Sequence, residues 1–581
     1  MEEERNGAFS RRSFLGGMVV AGAAVAGAGL AACTPADSGG TTGGAATAEG
    51  PSGGLTAEIT DQKWAFEIAP EPIAESEIAE TVEADVVVIG GGTSGLVTAV
   101  RLLEQGQSVT LIAASNTPVG RGGSTFAMGS KLMDEAGISM DVHAAYKKMM
   151  GYHSHRVDHK KWWIHANRSR EAMNWLIDRM TTAESVGGVN LTPVLEAHFE
   201  DAEEITSEYW GTHDFIGGPN APTSTRENPQ QDVVDNLATY AANLGGDLRF
   251  SVIAEQLVRE QNGTGRVSAV IADENGKYVK FVGTKAVVLA TGDFGANRDM
   301  VHKYCPSWVW PLTGGIYAGD GHKMALWAGA AWQKNGGSAP MVFNFQYCLI
   351  TNQVRAFSGL VLNKEGERFA DEDNVVSHGA LACLDQTDHE SFAIWDTEYA
   401  KTGPWGYDYH GGPRVAGEDG SLMIEKWDGL VASSGEEINM NGAAFIIDCY
   451  KSDSIDELAQ KMQLPVDKVK ESVEKYNSYC GTGIDEDFHK RKGLLLPVAK
   501  PPYYIMRCQP WFLVATGGIR TNTHMQALDA NNEVVEGLYC VGTIVGDMFA
   551  NCYSTHFPGH NLGGCCLTFG YVAAEYISGN A

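Results

Sequence analysis

The sequence predicts an α/β fold with a buried parallel sheet. A short β-branched run, Ala84–Ile89, leads directly into a glycine-rich loop and then into an amphipathic helix, Leu96–Gln105. A second strand is predicted over residues 108–112, and another apolar strand lies far downstream at 285–290. Strands that alternate with helices in this way are typical of α/β proteins in which helices cover both faces of the sheet.

Length and composition agree with a large globular protein. The chain has 581 residues, of which 44% are hydrophobic and 20% are charged. This composition excludes a disordered chain and a small disulfide scaffold, and the length predicts two or more domains. The helical pattern over 453–479 differs from the strand–helix alternation, and 405–436 is dense in glycine, tyrosine and aspartate, which predicts loops there.

Charge and cysteine spacing exclude several classes of protein. The net charge is −29, from 72 acidic and 43 basic residues, so we expect no nucleic-acid partner. The 11 cysteines form no C-x-x-C pair, which disfavours zinc-ribbon, thioredoxin-type and c-type haem sites. We predict no metal site.

The N-terminus has the pattern of an export signal. Arg11 and Arg12 precede an apolar run, Met18–Ala32, of about 15 residues, which is shorter than the ~20 needed to span a bilayer. The run ends in Leu-Ala-Ala-Cys, which resembles a lipobox with Cys33 as the lipidated residue. We therefore predict a twin-arginine signal over 1–33, a flexible tether over 34–54, and a lipid anchor at the outer face of the bacterial cytoplasmic membrane. The alternative is a buried Ala/Gly helix.

The loop after the first strand fits the G-x-G-x-x-G pattern of a Rossmann-like dinucleotide site. Gly90 is expected to make the turn, Gly92 to admit a pyrophosphate, and Gly95 to let helix and strand pack closely. Thr93 and Ser94 stand at the helix N-terminus, where backbone N–H groups bind phosphate. The second strand should end in an acid that binds the adenosine ribose, but that position is Ala113. The candidate replacements are the polar residues Ser115 and Asn116.

Further glycine-rich segments follow in the order 120–129, 291–295, 319–321, 537–542 and 561–564. Over residues 81–581, this series resembles the flavoprotein family of fumarate reductases, succinate dehydrogenases and ketosteroid dehydrogenases. The resemblance implies FAD as the cofactor. It also implies a Rossmann-like FAD-binding domain split between 55–333 and 495–581, with an inserted α+β capping domain over 334–494.

The resemblance also assigns the residues that contact FAD. They are Gly90, Gly92, Thr93, Ser94, Gly95, Ala113, Gly122, Gly123, Ser124, Thr125, Ala127, Gly129, Ala254, Thr291, Gly292, Asp320, Gly542, Thr543, Gly563, Cys566 and Leu567. The adjacent Cys565 and Cys566 are expected to pack against the flavin as small residues.

The family's substrate clamp is largely missing. Fumarate reductases hold both substrate carboxylates with histidines and arginines, because a desolvated dianion needs paired positive charges. The segment that should carry the histidines contains Leu513 and Val514, and an arginine position before the Leu-Gly-Gly turn is Asn561. The proton-donating arginine is replaced by Val376, and the acid of the proton path by Asn352. We therefore expect an aromatic or polycyclic substrate with little charge rather than a small dicarboxylate.

Five residues remain as candidate proton donors or acceptors: Arg355, His378, Tyr553, His556 and His560. Arg355 matches an arginine of the family's proton path, and the others lie in segments expected to face the flavin. The alternative for each is a structural or surface role.

The predicted function is an exported FAD-dependent oxidoreductase that reduces an activated carbon–carbon double bond in an organic acceptor. No haem site and no covalent flavin-attachment sequence is evident, so electrons are expected from a separate protein or a diffusible carrier. One alternative is a ketosteroid-type dehydrogenase working in the oxidative direction, although the tyrosine of those enzymes is Phe557 here. The other is a binding lipoprotein that keeps the fold without catalysis.

Overall fold

A mixed eight-stranded sheet forms the centre of the protein in the computed structural model. The structure describes residues 63–195, 211–222, 228–305, 315–334, 338–344, 346, 349–350, 357–372, 376–402, 420–440, 443–551, 553, 557 and 559–579. The predicted export signal, the tether and Cys33 lie outside the described residues.

The strands in chain order are β1 (Ile78–Ile89), β2 (Val109–Ala113), β3 (Thr125–Phe126), β4 (Thr192–Leu195), β5 (Thr212–Ile216), β6 (Asp247–Phe250), β7 (Val252–Arg259), β8 (Val267–Glu274), β9 (Lys277–Leu289), β10 (Ala339–Asn344), β11 (Leu360–Leu362), β12 (Ser391–Asp396), β13 (Glu437–Met440), β14 (Ala443–Ile446), β15 (Cys449–Ser452), β16 (Tyr503–Cys508), β17 (Pro510–Thr516), β18 (Gln526–Leu528) and β19 (Val534–Cys540).

The α-helices are α1 (Thr93–Glu104), α2 (Lys131–Glu135), α3 (Val142–Tyr152), α4 (His159–Thr181), α5 (Pro229–Asn243), α6 (Glu260–Gly263), α7 (Arg298–Tyr304), α8 (Asp320–Trp327), α9 (Val376–Leu384), α10 (Tyr399–Thr402), α11 (Ser421–Ala432), α12 (Ile455–Lys461), α13 (Val466–Thr482) and α14 (Phe569–Ser578). Short 3-10 turns cover Ala65–Glu67, Glu75–Glu77, Ala183–Val186, Thr387–His389, Lys492–Leu494 and Gly542–Ile544, and a π-helical segment covers Asn561–Thr568. Within the described part of the chain, no helix is both long and apolar enough to cross a membrane.

The large sheet has the strand order β18-β19-β9-β1-β2-β6, with β8 on β9 and β7 on β8. The pairs β19/β9, β9/β1, β1/β2 and β2/β6 are parallel, and β18/β19, β7/β8 and β8/β9 are antiparallel. Val86 to Ile89 of β1 are almost fully buried, as expected for a central strand covered on both faces. The predicted α/β fold with a parallel core is confirmed.

A second, antiparallel sheet has the order β11-β12-β16-β15. Its two faces belong to separate apolar cores, one with Trp395, Trp427 and Tyr504, the other with Ile394, Tyr476 and Ile505. Strand β16 pairs with β12 over Tyr503–Cys508, although the predicted capping domain ended at 494. The chain therefore leaves the smaller sheet near residue 509, after β16.

The middle of the chain also contains a helix where loops were predicted. Residues 403–419 are outside the described part, but α11 follows at Ser421–Ala432. Met423, Trp427 and Leu430 recur at helical spacing and are buried, so this apolar stripe outweighs the loop-like composition around it. The helical pattern over 453–479 is confirmed as α12 and α13.

Candidate cofactor and active site

The candidate site lies at the carboxyl ends of neighbouring parallel strands. Strands β19, β9, β1 and β2 are adjacent and run in the same direction, so the segments that follow them meet at one edge of the sheet. These segments begin at Val541, Ala290, Gly90 and Ala114, and three of them lead into glycine-rich motifs. Ligands of open α/β sheets bind at this edge.

The three motif glycines of the first loop have different surroundings. Gly90 has φ +124°, and a Cβ there would lie 2.2 Å from the carbonyl oxygen of Ala290. A Cβ on Gly95 would lie 2.0 Å from the carbonyl oxygen of Gly90. In the described part of the chain, the only atom within 4 Å of a Cβ on Gly92 would be the Val119 carbonyl oxygen, at 3.6 Å. Gly90 and Gly95 are thus required by packing, whereas Gly92 faces open space.

The N-terminus of α1 presents backbone donors to this open space. No side chain caps the helix, and Thr93 and Ser94 are buried there. The Thr93 hydroxyl accepts a hydrogen bond from Gln230 Nε2 at 2.8 Å, which fixes the first turn. Uncapped N–H groups at a buried helix N-terminus need an acceptor, and a pyrophosphate fits this need. The residues present therefore fit a dinucleotide.

The predicted ribose position is apolar in the structure. Ala113 ends β2 beside Phe250 of β6, and a Cβ on Gly91 would lie within 3.1 Å of both side chains. The Ser115 hydroxyl donates to the Thr117 carbonyl oxygen at 2.7 Å, within its own turn, and Asn116 is exposed. No carboxylate occupies the usual ribose-binding position at the end of β2.

The second glycine-rich loop packs against the C-terminal segment. A Cβ on Gly563 would lie 1.7 Å from the carbonyl oxygen of Phe126, and one on Gly122 would lie 2.9 Å from Leu562. The Phe126 N–H donates to the Gly559 carbonyl oxygen at 3.1 Å. Contacts of this kind require residues without side chains, and they bring two predicted FAD segments together.

The other predicted residues of this loop hold its shape. The Ser124 hydroxyl donates to Asp214 Oδ2 at 2.9 Å, and Thr125 pairs with His213 in a small sheet. The Ala127 N–H donates to the Gly211 carbonyl oxygen. Gly129 has φ +144° and lies against Arg170 of α4. Gly123 is partly buried near the start of the loop.

The segment after β9 lies against the start of α8. Gly292 has φ +81°, and a Cβ on Gly321 would lie 2.0 Å from Thr291 Oγ1. Asp320, the first residue of α8, forms an ion pair with Lys323 at 2.6 Å. The structure thus brings Thr291, Gly292 and Asp320 together. Ala254 lies in β7, opposite Ala272 of β8.

The segment after β19 contacts both the first loop and the C-terminal segment. A Cβ on Gly542 would lie 2.5 Å from Ser94 Oγ, so this turn touches the N-terminus of α1. Thr543 Oγ1 accepts a hydrogen bond from Asn561 Nδ2 at 3.2 Å. Cys566 is buried beside Thr543, and burial raises the pKa of its thiol to about 12, so the sulfur stays neutral. Leu567 is buried in the main core.

Two predicted acid–base residues lie in an aromatic cluster. The His560 ring stacks on Tyr553 at 4.8 Å and on Trp162 at 5.8 Å. His560 Nδ1 donates to the Phe557 carbonyl oxygen at 2.6 Å. Burial raises the pKa of Tyr553, whose hydroxyl also bonds to the backbone of Asn561. These contacts are those of packed side chains that shape the C-terminal segment.

The structure describes the other three acid–base candidates only in part or not at all. His378 lies in α9, but its side chain is outside the described part of the structure. Arg355, Asn352 and His556 are also outside the described residues. Helix α9 places Ala380 and Leu384 in an apolar cluster with Phe512 and Ala515 of β17.

Strand β17 (Pro510–Thr516) is uncharged at the position where the resemblance predicted the histidines of the carboxylate clamp. We call this strand the neutral wall. It pairs with β10 and reads Pro-Trp-Phe-Leu-Val-Ala-Thr, without a charged side chain. Leu513 and Val514 are partly exposed and pack at the margin of the main core. Asn561 Nδ2 donates a hydrogen bond to Thr543, and its Oδ1 is buried and has no hydrogen-bond partner among the residues that the structure describes.

Sequence reasoning missed a charged group beside this wall. Asp293 is 1% exposed, and its Oδ2 lies 4.0 Å from Arg121 Nη1 of the second glycine-rich loop. The guanidinium of Arg121 stands over the Tyr317 ring, 5.2 Å from its centroid. Asp293 lies in a glycine-rich turn shortly after an apolar strand. A charged residue in such a turn is the sequence signal that could have indicated this group.

Comparison with known proteins decides the family. A family model described as "FAD binding domain" matches residues 85–558. The chain belongs to this family. FAD is therefore the cofactor, and the resemblance stated from the glycine-rich segments is confirmed.

Similar proteins are oxidoreductases. The chain is 27% identical to vinyl phenol reductase of Lactiplantibacillus plantarum, over 82% of this chain and 93% of that protein. It is 25% identical to urocanate reductase of Eggerthella lenta, over 91% of this chain and 78% of that protein. A solved 3-ketosteroid-Δ4-(5α)-dehydrogenase from Rhodococcus jostii RHA1 has the same fold, with a TM-score of 0.66, 21% identity, and coverage of 87% of this chain and 99% of that one. The chain is an FAD-dependent oxidoreductase.

Proposed function

We propose that this oxidoreductase reduces the activated carbon–carbon double bond of an uncharged, aromatic organic acceptor. When bound and reduced, FAD supplies a hydride to such a bond. The chain's own residues hold the acceptor, exclude water and supply the proton. Electrons reach the protein from a separate donor.

The neutral wall of β17 carries this proposal. A dicarboxylate placed against Leu513 and Val514 would lose its hydration without gaining a cationic partner there, at a cost of several kcal/mol. Asn561 offers an amide, already bonded to Thr543, at the position of the clamping arginine. An uncharged ring avoids this desolvation cost and gains apolar contact.

The names of similar proteins support the same reaction. Vinylphenol and urocanate both contain a carbon–carbon double bond conjugated to a ring. Vinylphenol is also uncharged, and the protein named for it matches 82% of this chain. The ketosteroid alternative has less support, because Phe557 has no hydroxyl and is buried in a stack with Phe126 at 4.9 Å.

An anaerobic reoxidation experiment tests the proposal. The full-length protein with FAD is reduced with dithionite or a viologen dye and mixed with fumarate, urocanate, hydroxycinnamates, 4-vinylphenol, stilbenes or ketosteroids. We expect an uncharged aromatic alkene to reoxidise the flavin and to be recovered with its double bond saturated. Reoxidation by fumarate at an equal or higher rate would contradict the neutral-wall argument. Failure of every compound would leave the binding lipoprotein as the better account.

We also propose export by the twin-arginine route and anchoring through Cys33, based on the order of Arg11-Arg12, apolar run and Leu-Ala-Ala-Cys. The test is fractionation of cells that express the wild-type chain, the double variant R11K/R12K or C33S. We expect the double variant to stay in the cytoplasm and C33S to leave the membrane fraction. Unchanged membrane association of C33S would contradict the lipid anchor.

A further inference from the structure

The stretch 141–170 is basic, although the chain as a whole is strongly acidic. It contains seven lysines and arginines, two aspartates and five histidines, a net charge of +5 with histidine neutral, against −29 for the whole chain. The two aspartates, Asp141 and Asp158, cap the N-termini of α3 and α4 and accept hydrogen bonds from backbone N–H groups there. The stretch is therefore opposite in sign to the rest of the chain.

Helices α3 and α4 bring aromatic and imidazole rings of this stretch together. The Trp163 ring lies 5.2 Å from the ring of His143 and 5.1 Å from that of Tyr146. The Tyr146 hydroxyl shares a hydrogen bond with His159 Nδ1 at 2.9 Å, and His155 stacks on His159 at 5.5 Å. These contacts join α3, α4 and the turn between them into one continuous surface.

Three cations lie next to these rings. Lys147, Arg156 and Lys160 each directly follow one of the ring residues in the chain, and all three are exposed. Within the part of the chain that the structure describes, their side chains form no ion pair. Trp163 is 37% exposed between them. We call the exposed side chains of residues 143–147 and 155–163 the basic face. Exposed tryptophan together with arginine is typical of protein–protein interfaces.

The opposite side of α4 packs against segments expected to contact FAD. Ser169 Oγ accepts a hydrogen bond from the Met128 N–H of the second glycine-rich loop at 3.0 Å. A Cβ on Gly564 of the C-terminal segment would lie 3.2 Å from the His165 ring. Ser169 and His165 are both buried. An α-helix with its side chains is about 10–12 Å across, so a partner on the basic face approaches these segments to roughly one helix diameter.

We propose that the basic face docks an acidic redox protein that supplies electrons to FAD. This inference rests on the proposed function, in which electrons come from a separate donor. The acidic remainder of the chain repels such a partner, and the basic face attracts it, so the approach is steered to α3 and α4. The partner is oxidised by two electrons in all, and these reduce FAD together with two protons from water.

Charge reversal tests the basic face without changing any buried side chain. The test variant is K147E/R156E/K160E. The control variant, K461E/K468E/K470E, reverses three exposed lysines of α12 and α13. Both variants change the net charge by the same amount, so a difference between them reports only where the charge lies. We expect both to keep the FAD content of wild type and to melt close to wild type, because exposed charges contribute little to stability.

Electron exchange with haem proteins of opposite charge measures docking without any alkene. The full-length protein with FAD is photoreduced anaerobically and mixed with ferric cytochrome b5, which is acidic, or ferric cytochrome c, which is basic. The haem α-band gives the second-order rate constant of haem reduction. At low ionic strength, we expect the rate with cytochrome b5 to fall about 10-fold or more in the test variant and less than about twofold in the control. The rate with cytochrome c should not fall in the test variant.

Equal rates with cytochrome b5 in the test and control variants would overturn the proposal. Vesicles of phosphatidylglycerol and phosphatidylcholine are a second probe. If they sediment with wild type but not with the test variant, while the cytochrome b5 rates stay equal, the basic face is a membrane-facing surface and the proposal is wrong. If no compound reoxidises the reduced flavin, the proposed function fails, whereas the cytochrome rates still decide whether the basic face docks an acidic protein.

Discussion

Substitutions of two single residues, Gly92 and Gly95, should distinguish an effect on FAD binding from an effect on packing. Gly95→Ala places a methyl group 2.0 Å from the Gly90 carbonyl oxygen, so we expect both a lower melting temperature and loss of FAD. Gly92→Ala meets one atom at 3.6 Å, so the apoprotein should melt close to wild type, while the methyl group obstructs the pyrophosphate. The flavin-to-protein absorbance ratio and thermal melts of the apoproteins measure the two effects. Equal FAD content in G92A and wild type would contradict this assignment.

Tyr553, one of the candidate proton donors, packs against the rings of Phe549 and His560. These contacts indicate a structural role. We expect Tyr553→Phe to lower the reoxidation rate less than about threefold and stability by about 0.5–1.5 kcal/mol, because one hydroxyl bond is lost. Tyr571→Phe removes a similar hydroxyl, bonded to Glu171 at 2.9 Å, and serves as the control. A rate loss of about 10²-fold or more in Y553F alone would show that Tyr553 is a proton donor after all.

At the scale of elements, a buried ion network holds the smaller sheet to its helices. Arg368 donates to Asp485 Oδ1 and Oδ2 at 3.0 Å each and to Glu372 Oε2 at 2.6 Å. Lys490 is fully buried and donates to the carbonyl oxygen of Ser358 at 2.5 Å. This network fixes the chain directly after the segment that contains Arg355.

Removal of one charge from this network should be costly. Asp485→Asn leaves Arg368 short of an anionic partner, and we expect a loss of about 3–5 kcal/mol in the free energy of unfolding. Asp487→Asn, at a position about one-quarter exposed and 4.0 Å from Arg368, should cost about 1 kcal/mol or less. Urea denaturation of the two variants measures both values. Equal stability of D485N and D487N would contradict the importance of the buried pair.

The Arg368–Asp485 pair also makes the free energy of unfolding depend on pH. Burial raises the pKa of Asp485, but the hydrogen bonds from Arg368 outweigh it and lower the pKa to about 2, below the ordinary 3.8. A lowered pKa in the folded state stabilises the protein above pH 4 and loses this contribution as pH falls from about 4 to 2. The stability difference between wild type and D485N should therefore shrink over that range in urea titrations. A constant difference would contradict the assignment to Asp485.

At the scale of the whole molecule, the cofactor edge was predictable because it depends on local rules. A Cβ on Gly90, Gly95 or Gly563 would lie 2.2 Å or less from a backbone oxygen, so glycine is required at these positions whatever the rest of the chain does. Asp293 was not predictable in the same way, because its donor Ala515 lies 222 residues further along the chain. Strand β16 joins the smaller sheet for a similar reason, since pairing with β12 is decided by tertiary contacts.

The central claim is that a neutral wall replaces a carboxylate clamp, and a matched pair of acceptors tests it most directly. 4-Vinylphenol and 4-hydroxycinnamate share the phenol ring and the double bond and differ by one carboxylate. Stopped-flow mixing with the anaerobically reduced full-length protein gives the second-order rate constant of flavin reoxidation for each. The neutral wall predicts that 4-vinylphenol reacts about 100-fold faster, since each tenfold corresponds to about 1.4 kcal/mol of the desolvation cost. An equal or higher rate with 4-hydroxycinnamate would contradict the claim and would indicate that cationic groups reach the acceptor from elsewhere in the chain.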